Sequence, residues 1–228
     1  LGVTGTNGKT TTSKLLGVML GAPVAGNVGR ALTELDGAVD PDEWIVCELS
    51  SFQLEDIHEF RPRIGVLLNL EADHLDRHGT FEAYRDAKLR IFENQGDRDV
   101  AVVPRDFGDA GSARRVEFSG DDPLPAEPRM PGAHNRENAA AATAAARAAG
   151  VSDDQIADAL RSFPGVPHRL EEVAEVDGVR YVNDSKATNA AAARRAIASY
   201  DAPLHVILGG LGNITGAVIG GFILALAE

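Results

Sequence analysis

The chain is short of cysteine, aromatic residues and positive charge, and each shortage closes off a class of function. One cysteine in 228 residues, Cys47, excludes a disulfide framework and a Cys-rich zinc site, and it fits a reducing cytosol. Lys and Arg number 22 against 34 Asp and Glu, a net charge of −12. A protein that coats a nucleic acid duplex needs a basic face to displace counterions, so nucleic acid is not expected as a partner; an anionic substrate would need cations gathered locally. No Met opens the chain, and no basic stretch leads into an apolar one, so no signal peptide is read. A buried-type strand standing at the first residue reads as the start of a fragment. What is present, 44% hydrophobic and 25% charged residues, is the balance of a soluble globular protein.

Short apolar runs alternate with helical patterns. Residues 1–4, 44–48, 64–70 and 100–103 read as buried strands, each bounded by Gly, Pro or acidic residues. Residues 9–20 and 81–94 read as helices. The Ala-rich run 134–149 is a further helix ended by Gly150, and Ser152 caps one that runs to about Arg161. Such alternation predicts the α/β class, with a P-loop-type, mostly parallel sheet in a central domain over residues 1–163. Two prolines and a glycine in Phe163-Pro-Gly-Val-Pro-His-Arg169 mark the boundary. Beyond it, runs 170–176 and 179–183 flank the hairpin signal Asp177-Gly178, followed by a helix at about 188–200 and a strand at 204–208. These predict the start of a second, Rossmann-like α/β domain over 164–210, with an atypical apolar tail at 211–228.

The sharpest local signal is Gly5-Thr6-Asn7-Gly8-Lys9-Thr10-Thr11, which follows a strand and opens a helix. Glycines let the backbone turn so that successive N–H groups face a polyphosphate at the positive end of a helix dipole. Lys9 adds a mobile cation, and the Thr10 hydroxyl suits Mg²⁺. The strict phosphate-loop pattern wants Gly where Val3 stands, so the match is partial. Glu48 ends a strand, where an open α/β sheet presents its binding crevice. A strand-end Glu is in general more often a cap or ion-pair partner, but Thr10, Glu48 and phosphate oxygens together would satisfy Mg²⁺, which keeps several waters. Phe81, Tyr84, Lys88 and Ile91 share one helical face, which sets an amine on an apolar stripe.

Eight blocks in one order carry a resemblance: the phosphate loop, Asn27 in Gly-Asn-Val-Gly, Glu48-Leu-Ser-Ser-Phe-Gln-Leu-Glu55, Asp73-His74-Leu-Asp-Arg77, Ala87-Lys88-Leu-Arg-Ile-Phe92, His134-Asn135-x-x-Asn138, Pro167-His168-Arg169, and Asn183-Asp184-Ser-Lys186-Ala-Thr188-Asn189. Over about residues 1–210 the chain resembles the Mur ligase family. Within it, the second and last of the longer blocks are similar to members that add D-glutamate to UDP-N-acetylmuramoyl-L-alanine in peptidoglycan synthesis. The resemblance implies ATP and Mg²⁺ as cofactors, and ligation through an acyl phosphate. It implies ATP binding by Gly5, Thr6, Asn7, Gly8, Lys9, Thr10, Thr11, Asn135, Asn138, Arg169 and Asp184, with Asn138 toward adenine and Asp184 toward the ribose. It implies catalytic roles for Lys9, Glu48, His74 and Lys88, and metal binding by Thr10, Glu48, His74 and Lys88 as a carbamate. Asn27, Ser50, Lys186 and Thr188 would lie on the substrate side.

The resemblance breaks at both ends. The family's uridine-nucleotide domain would precede Leu1. After Leu208-Gly-Gly210, Asn213 stands where the family carries a glutamate-contacting Lys. Residues 206–227 hold no charge over 22 positions, and Gly212, Gly216 and Gly220 repeat at four-residue spacing. The length meets the roughly 18 to 20 residues of a membrane helix, and the stretch resembles part of a branched-chain amino acid ABC-transporter permease. A strand at 204–208, a glycine loop and a short buried helix is the expected arrangement, with no membrane partner. Expected function is therefore the ligase by family, with the chain by itself binding nucleotide without ligating. The alternatives are an ATP/Mg²⁺-binding module, or a paralogue that adds a different amino acid.

Overall fold

The computed structural model describes residues 1–108, 110–187, 190–201, 203–208 and 222–227. They form two compact units, Leu1–Glu127 with Glu137–Ser162, and Pro128–Arg136 with Phe163–Glu228.

The first unit is built on a six-stranded, wholly parallel sheet of β1 (Gly2–Thr4), β2 (Val24–Gly26), β3 (Val46–Glu48), β4 (Ile64–Leu67), β5 (Val100–Pro104) and β6 (Arg114–Phe118). Its order is β2-β3-β1-β4-β5-β6. Strands β1, β3 and β4 are buried along their whole length, as parallel strands covered on both faces must be. Because β1 lies between β3 and β4, the chain runs to opposite sides of it, and the carboxyl ends at Thr4 and Glu48 flank the switch point where such sheets bind ligands.

Helix α1 (Lys9–Leu20) has the expected bounds, set by left-handed Gly8 and Gly21 at its ends. Next come α2 (Ser51–Glu55), α3 (Leu75–His78) and α4 (Phe81–Leu89), the last tightening into a 3₁₀ turn at Arg90–Phe92 rather than continuing to 94. Helices α5 (Ala133–Ala148) and α6 (Asp153–Ser162) complete the set. The alanine face of α5, Ala139, Ala141, Ala142, Ala145 and Ala146, is fully buried; small side chains let a helix lie close to its neighbours.

The second unit holds β7 (Glu171–Val176), β8 (Val179–Asp184), α7 (Ala190–Ile197), β9 (Leu204–Leu208) and β10 (Phe222–Ala227). Asp177 and Gly178 both have positive φ, 52° and 77°, the turn that joins β7 and β8 with the twist of a hairpin. The sheet order is β7-β8-β10-β9, and every described pairing is antiparallel. The tail departs from expectation. Phe222–Ala227 is a strand between β8 and β9, neither a short buried helix nor a membrane helix. A six-residue apolar run bounded by glycine suits a strand as well as a helix, and periodicity cannot separate them. Gly212, Gly216, Gly220 and the rest of 209–221 lie outside the described residues. Among the described residues no helix is long and apolar enough to cross a membrane.

Candidate functional site

The loop from Gly5 to Thr11 leaves β1 and enters α1. Gly8, its N-cap, has φ 85° and offers no side-chain cap, so the first-turn N–H groups of α1 meet no capping side chain. A Cβ on Gly8 would stand 2.1 Å from Asn138 Oδ1, so sterics as well as φ require glycine there. The loop is held from afar. Asn69 Oδ1 accepts from Asn7 N at 2.8 Å, and Asn69 Nδ2 donates to Asn7 O at 3.1 Å. Thr6 N donates to Asn69 O at 3.0 Å, and Asn7 Nδ2 donates to Glu71 Oε2 at 3.3 Å. Lys9 folds back so that Nζ donates to Gly5 O and Thr6 O, each at 2.9 Å. An ammonium group thus rests over the loop carbonyls at the mouth of a helix dipole, which is the chemistry of a polyphosphate cradle. Thr10 and Thr11 are buried in the first turn of α1.

Glu48 ends β3 with 2% exposure. Its Oε1 accepts from Asn27 Nδ2 at 3.1 Å, and its backbone O from Asn27 N at 2.8 Å, so those two expected residues are brought together. Ser50 is engaged locally: its Oγ accepts from Gln53 N at 3.2 Å and donates to Gln53 Oε1 at 2.9 Å, capping α2.

Lys88 lies on α4 with 2% exposure, on the face it shares with buried Tyr84 and Ile91. Its Nζ sits 4.9 Å above the Tyr84 ring and has no hydrogen-bond or salt-bridge partner among the described residues. Burial lowers its pKa to about 7, helped by the charge of Lys9 and opposed by Asp73. A neutral amine is the nucleophilic form of a lysine. His74 stands in left-handed backbone at φ 50°, half-exposed, with Nε2 3.7 Å from Asp73 Oδ2 and its ring 5.2 Å from Phe52. Among the described residues no three His, Cys, Asp or Glu side chains cluster as a metal cage. The available donors are a Thr hydroxyl and one buried carboxylate. They fit Mg²⁺, which is held by few carboxylates together with phosphate oxygens and water. Cys47 is no nucleophile, since burial pushes its thiol up to about 11.

The remaining expected residues fall as follows. Asn138 belongs to the first unit and abuts Gly8. Asn135, grouped with the second unit, donates from Nδ2 to Pro131 O at 2.7 Å. In the second unit Asp184 is buried and accepts from Leu170 N at 3.1 Å; burial raises its pKa, against the Leu170 hydrogen bond and the charge of Arg169. Arg169 and Lys186 are exposed, and Lys186 N donates to His168 O at 3.0 Å. Thr188 lies outside the described residues.

Sequence reasoning missed Asn69, Glu71, Tyr84 and His78 as parts of this region. Asn69 and Glu71 follow the third inner strand and meet the loop only through sheet pairing; Tyr84 reads as an apolar-face residue, and nothing in the sequence singles out His78. For Tyr84 one signal existed, its place on the face of Lys88.

Residues 3–117 match the family model described as the Mur ligase middle domain. The UDP-N-acetylmuramoylalanine--D-glutamate ligase of Pelotomaculum thermopropionicum is 45% identical over 91% of this chain and 53% of its own length. That of Bacillus subtilis is 41% identical over 92% and 54%. The chain therefore spans about half the length of these relatives. Among solved structures, MurF from Acinetobacter baumannii aligns with a TM-score of 0.70 at 23% identity, covering 85% of this chain and 52% of that one. MurF ligase from Thermotoga maritima in complex with ADP aligns at 0.67 and 23%, covering 86% and 55%. At these identities the structural likeness shows the fold.

Proposed function

The chain belongs to the Mur ligase family, and on that premise we propose that it is the nucleotide-binding portion of a ligase that joins D-glutamate to UDP-N-acetylmuramoyl-L-alanine, using ATP and Mg²⁺ in peptidoglycan synthesis. The relatives at 41–45% identity carry that activity in their names, which supports the choice of acceptor and amino acid. The observation that carries the reading is the phosphate loop, with Gly8 in left-handed backbone at an uncapped helix start and Lys9 poised over the Gly5 and Thr6 carbonyls.

In the reaction, a carboxylate must approach a triphosphate, and the two repel. Lys9 and the α1 N–H groups would hold and partly neutralise the phosphates, so that the carboxylate oxygen attacks the γ-phosphorus in line and an acyl phosphate forms with loss of ADP. The amine of D-glutamate then attacks the acyl carbon and phosphate leaves. Thr10, Glu48, His74 and carbamylated Lys88 are the residues proposed to hold Mg²⁺, which when bound would screen the phosphate charge as a Lewis acid. Asn27 would fix the Glu48 carboxylate through its 3.1 Å hydrogen bond. Gly5, Thr6, Asn7, Thr11, Asn135, Asn138, Arg169 and Asp184 are proposed for the nucleotide, and Ser50, Lys186 and Thr188 for the acceptor side.

Calorimetry tests the binding step: ATP with Mg²⁺ should bind the full chain, and Lys9→Ala should weaken binding at least about tenfold, or about 1.4 kcal/mol. Phosphate release that requires both UDP-N-acetylmuramoyl-L-alanine and D-glutamate separates a ligase from a nucleotide-binding module. Release with the acceptor and a different amino acid instead would point to a paralogue.

A further inference from the structure

Two side chains that the proposed mechanism does not use, His78 and Tyr84, lie in a continuous path from α2 to the phosphate loop. The path starts at His78, whose side chain is 1% exposed. Its Nδ1 lies 3.0 Å from Glu55 Oε1, and its Nε2 lies 3.0 Å from Ser51 Oγ. A carboxylate only accepts, so Nδ1 carries the hydrogen, and Nε2 shares a hydrogen bond with the Ser51 hydroxyl. The imidazole is also stacked on Phe52, with centroids 5.5 Å apart and planes 5° from parallel. Serine, histidine and glutamate in this order resemble a hydrolytic triad, but Ser51 is 2% exposed and opens to no substrate. The arrangement clamps the imidazole.

The clamped ring meets Tyr84 edge-on, with centroids 5.3 Å apart and planes at 69°. Tyr84 is itself buried, with Lys88 Nζ 4.9 Å from its centroid. Its hydroxyl reaches the phosphate loop, 2.9 Å from Thr6 Oγ1. Thr6 Oγ1 also accepts from Glu71 N at 2.9 Å and donates to Glu71 O at 3.2 Å. A hydroxyl has one hydrogen and two lone pairs, so with the hydrogen given to Glu71 the remaining lone pair accepts from Tyr84. Thr6 in turn presents one of the two carbonyls that hold Lys9.

We propose that His78 and Tyr84 are positioning residues for the phosphate loop: Glu55 and Ser51 fix His78, His78 seats the Tyr84 ring, and the Tyr84 hydroxyl braces Thr6 so that the Gly5 and Thr6 carbonyls present Lys9 to the terminal phosphates. The inference rests on the nucleotide-binding reading above and adds to it residues outside the set proposed to hold the nucleotide. It has a specific consequence. A brace on the loop matters to the phosphates that the loop grips and not to the adenosine end, so its loss should erode ATP binding while sparing AMP.

The test uses the full chain with ATP and with AMP, each with Mg²⁺, in calorimetry or competition format. Tyr84→Phe removes only the hydroxyl, and should weaken ATP about tenfold and leave AMP within about twofold. His78→Gln, which keeps polarity without the ring, should show the same selectivity; its double variant with Tyr84→Phe should be no worse than the more affected single variant, because both act through one contact. Unchanged ATP affinity in Tyr84→Phe overturns the proposal, as does an equal loss for ATP and AMP, the mark of general destabilisation. Strictly additive effects remove His78 from the path. If Lys9→Ala weakens ATP in the wild-type background and Tyr84→Phe does not, nucleotide binding stands and this inference alone falls; if neither does, both fall.

Discussion

The two units hold their candidate residues by opposite means. In the first, the phosphate loop is tied to chain more than 60 residues away: Asn7 to Asn69, Thr6 to Glu71, Thr6 to Tyr84. In the second, Asp184 is fastened 14 residues away to Leu170, and Asn183 lies 2.8 Å from His168 Nδ1, 15 residues away. The strands differ accordingly. Those beside the loop are wholly buried, whereas β7 and β8 leave Val173, Val176 and Tyr181 exposed, the first two by more than half. A site made of distant contacts exists only once the whole sheet has formed, and it then inherits the sheet's rigidity; a site made in a local turn can form early and stay softer.

The contrast is broken most severely from the core. Leu15→Ala, at a fully buried position of α1, should cost the first unit about 3 kcal/mol in denaturant unfolding and disorder the phosphate loop with it. A cost below about 1 kcal/mol would mean the loop does not depend on that packing. Gly8→Ala comes next. It forces a Cβ toward Asn138 Oδ1 and a non-glycine residue into left-handed backbone, for about 2 kcal/mol together. Adding Asn138→Ala should relieve the collision and leave about 1 kcal/mol from φ. If the double variant is no more stable than the single one, the steric half of the explanation is wrong.

How much of this was legible depends on whether the signal was local. Helix α1 is legible with both ends in place because Gly8 and Gly21 bracket it. The phosphate loop was read for the same reason. The short α2 was not read as a helix, although Ser50 and Gln53 form the capping box that announces it. Strand β6 is not legible because it is an edge strand on which Arg114, Arg115 and Glu117 are exposed and only Phe118 is buried, so it lacks an apolar run. The tail reads as helix from sequence because hydrophobicity reports burial before it reports conformation. His78 and Tyr84 could not be read as partners at all, since nothing in their spacing places an imidazole against a phenol.

Two smaller effects sharpen the comparison. Lys88 is protonated in the unfolded chain up to its ordinary pKa of 10.5 but in the folded protein only up to about 7. Between those values the unfolded state binds more protons, so stability should rise with pH, by up to about 1.4 kcal/mol per pH unit, and the cost is fully present below pH 7. Lys88→Met should flatten that slope in bicarbonate-free buffer; an unchanged slope would assign it to another group. In the second unit, Gly178→Ala strains the hairpin turn at φ 77° and should cost that unit about 1 kcal/mol, read from amide exchange in β7 and β8. Exchange slowed by that substitution would contradict the turn geometry.

The most direct measurement is ATP titration in the presence of Mg²⁺, followed by calorimetry, on the wild-type chain and on Lys9→Ala side by side. Saturable binding that the substitution weakens at least about tenfold is the expected result. Equal affinity in the two proteins would contradict the assignment of the phosphate loop.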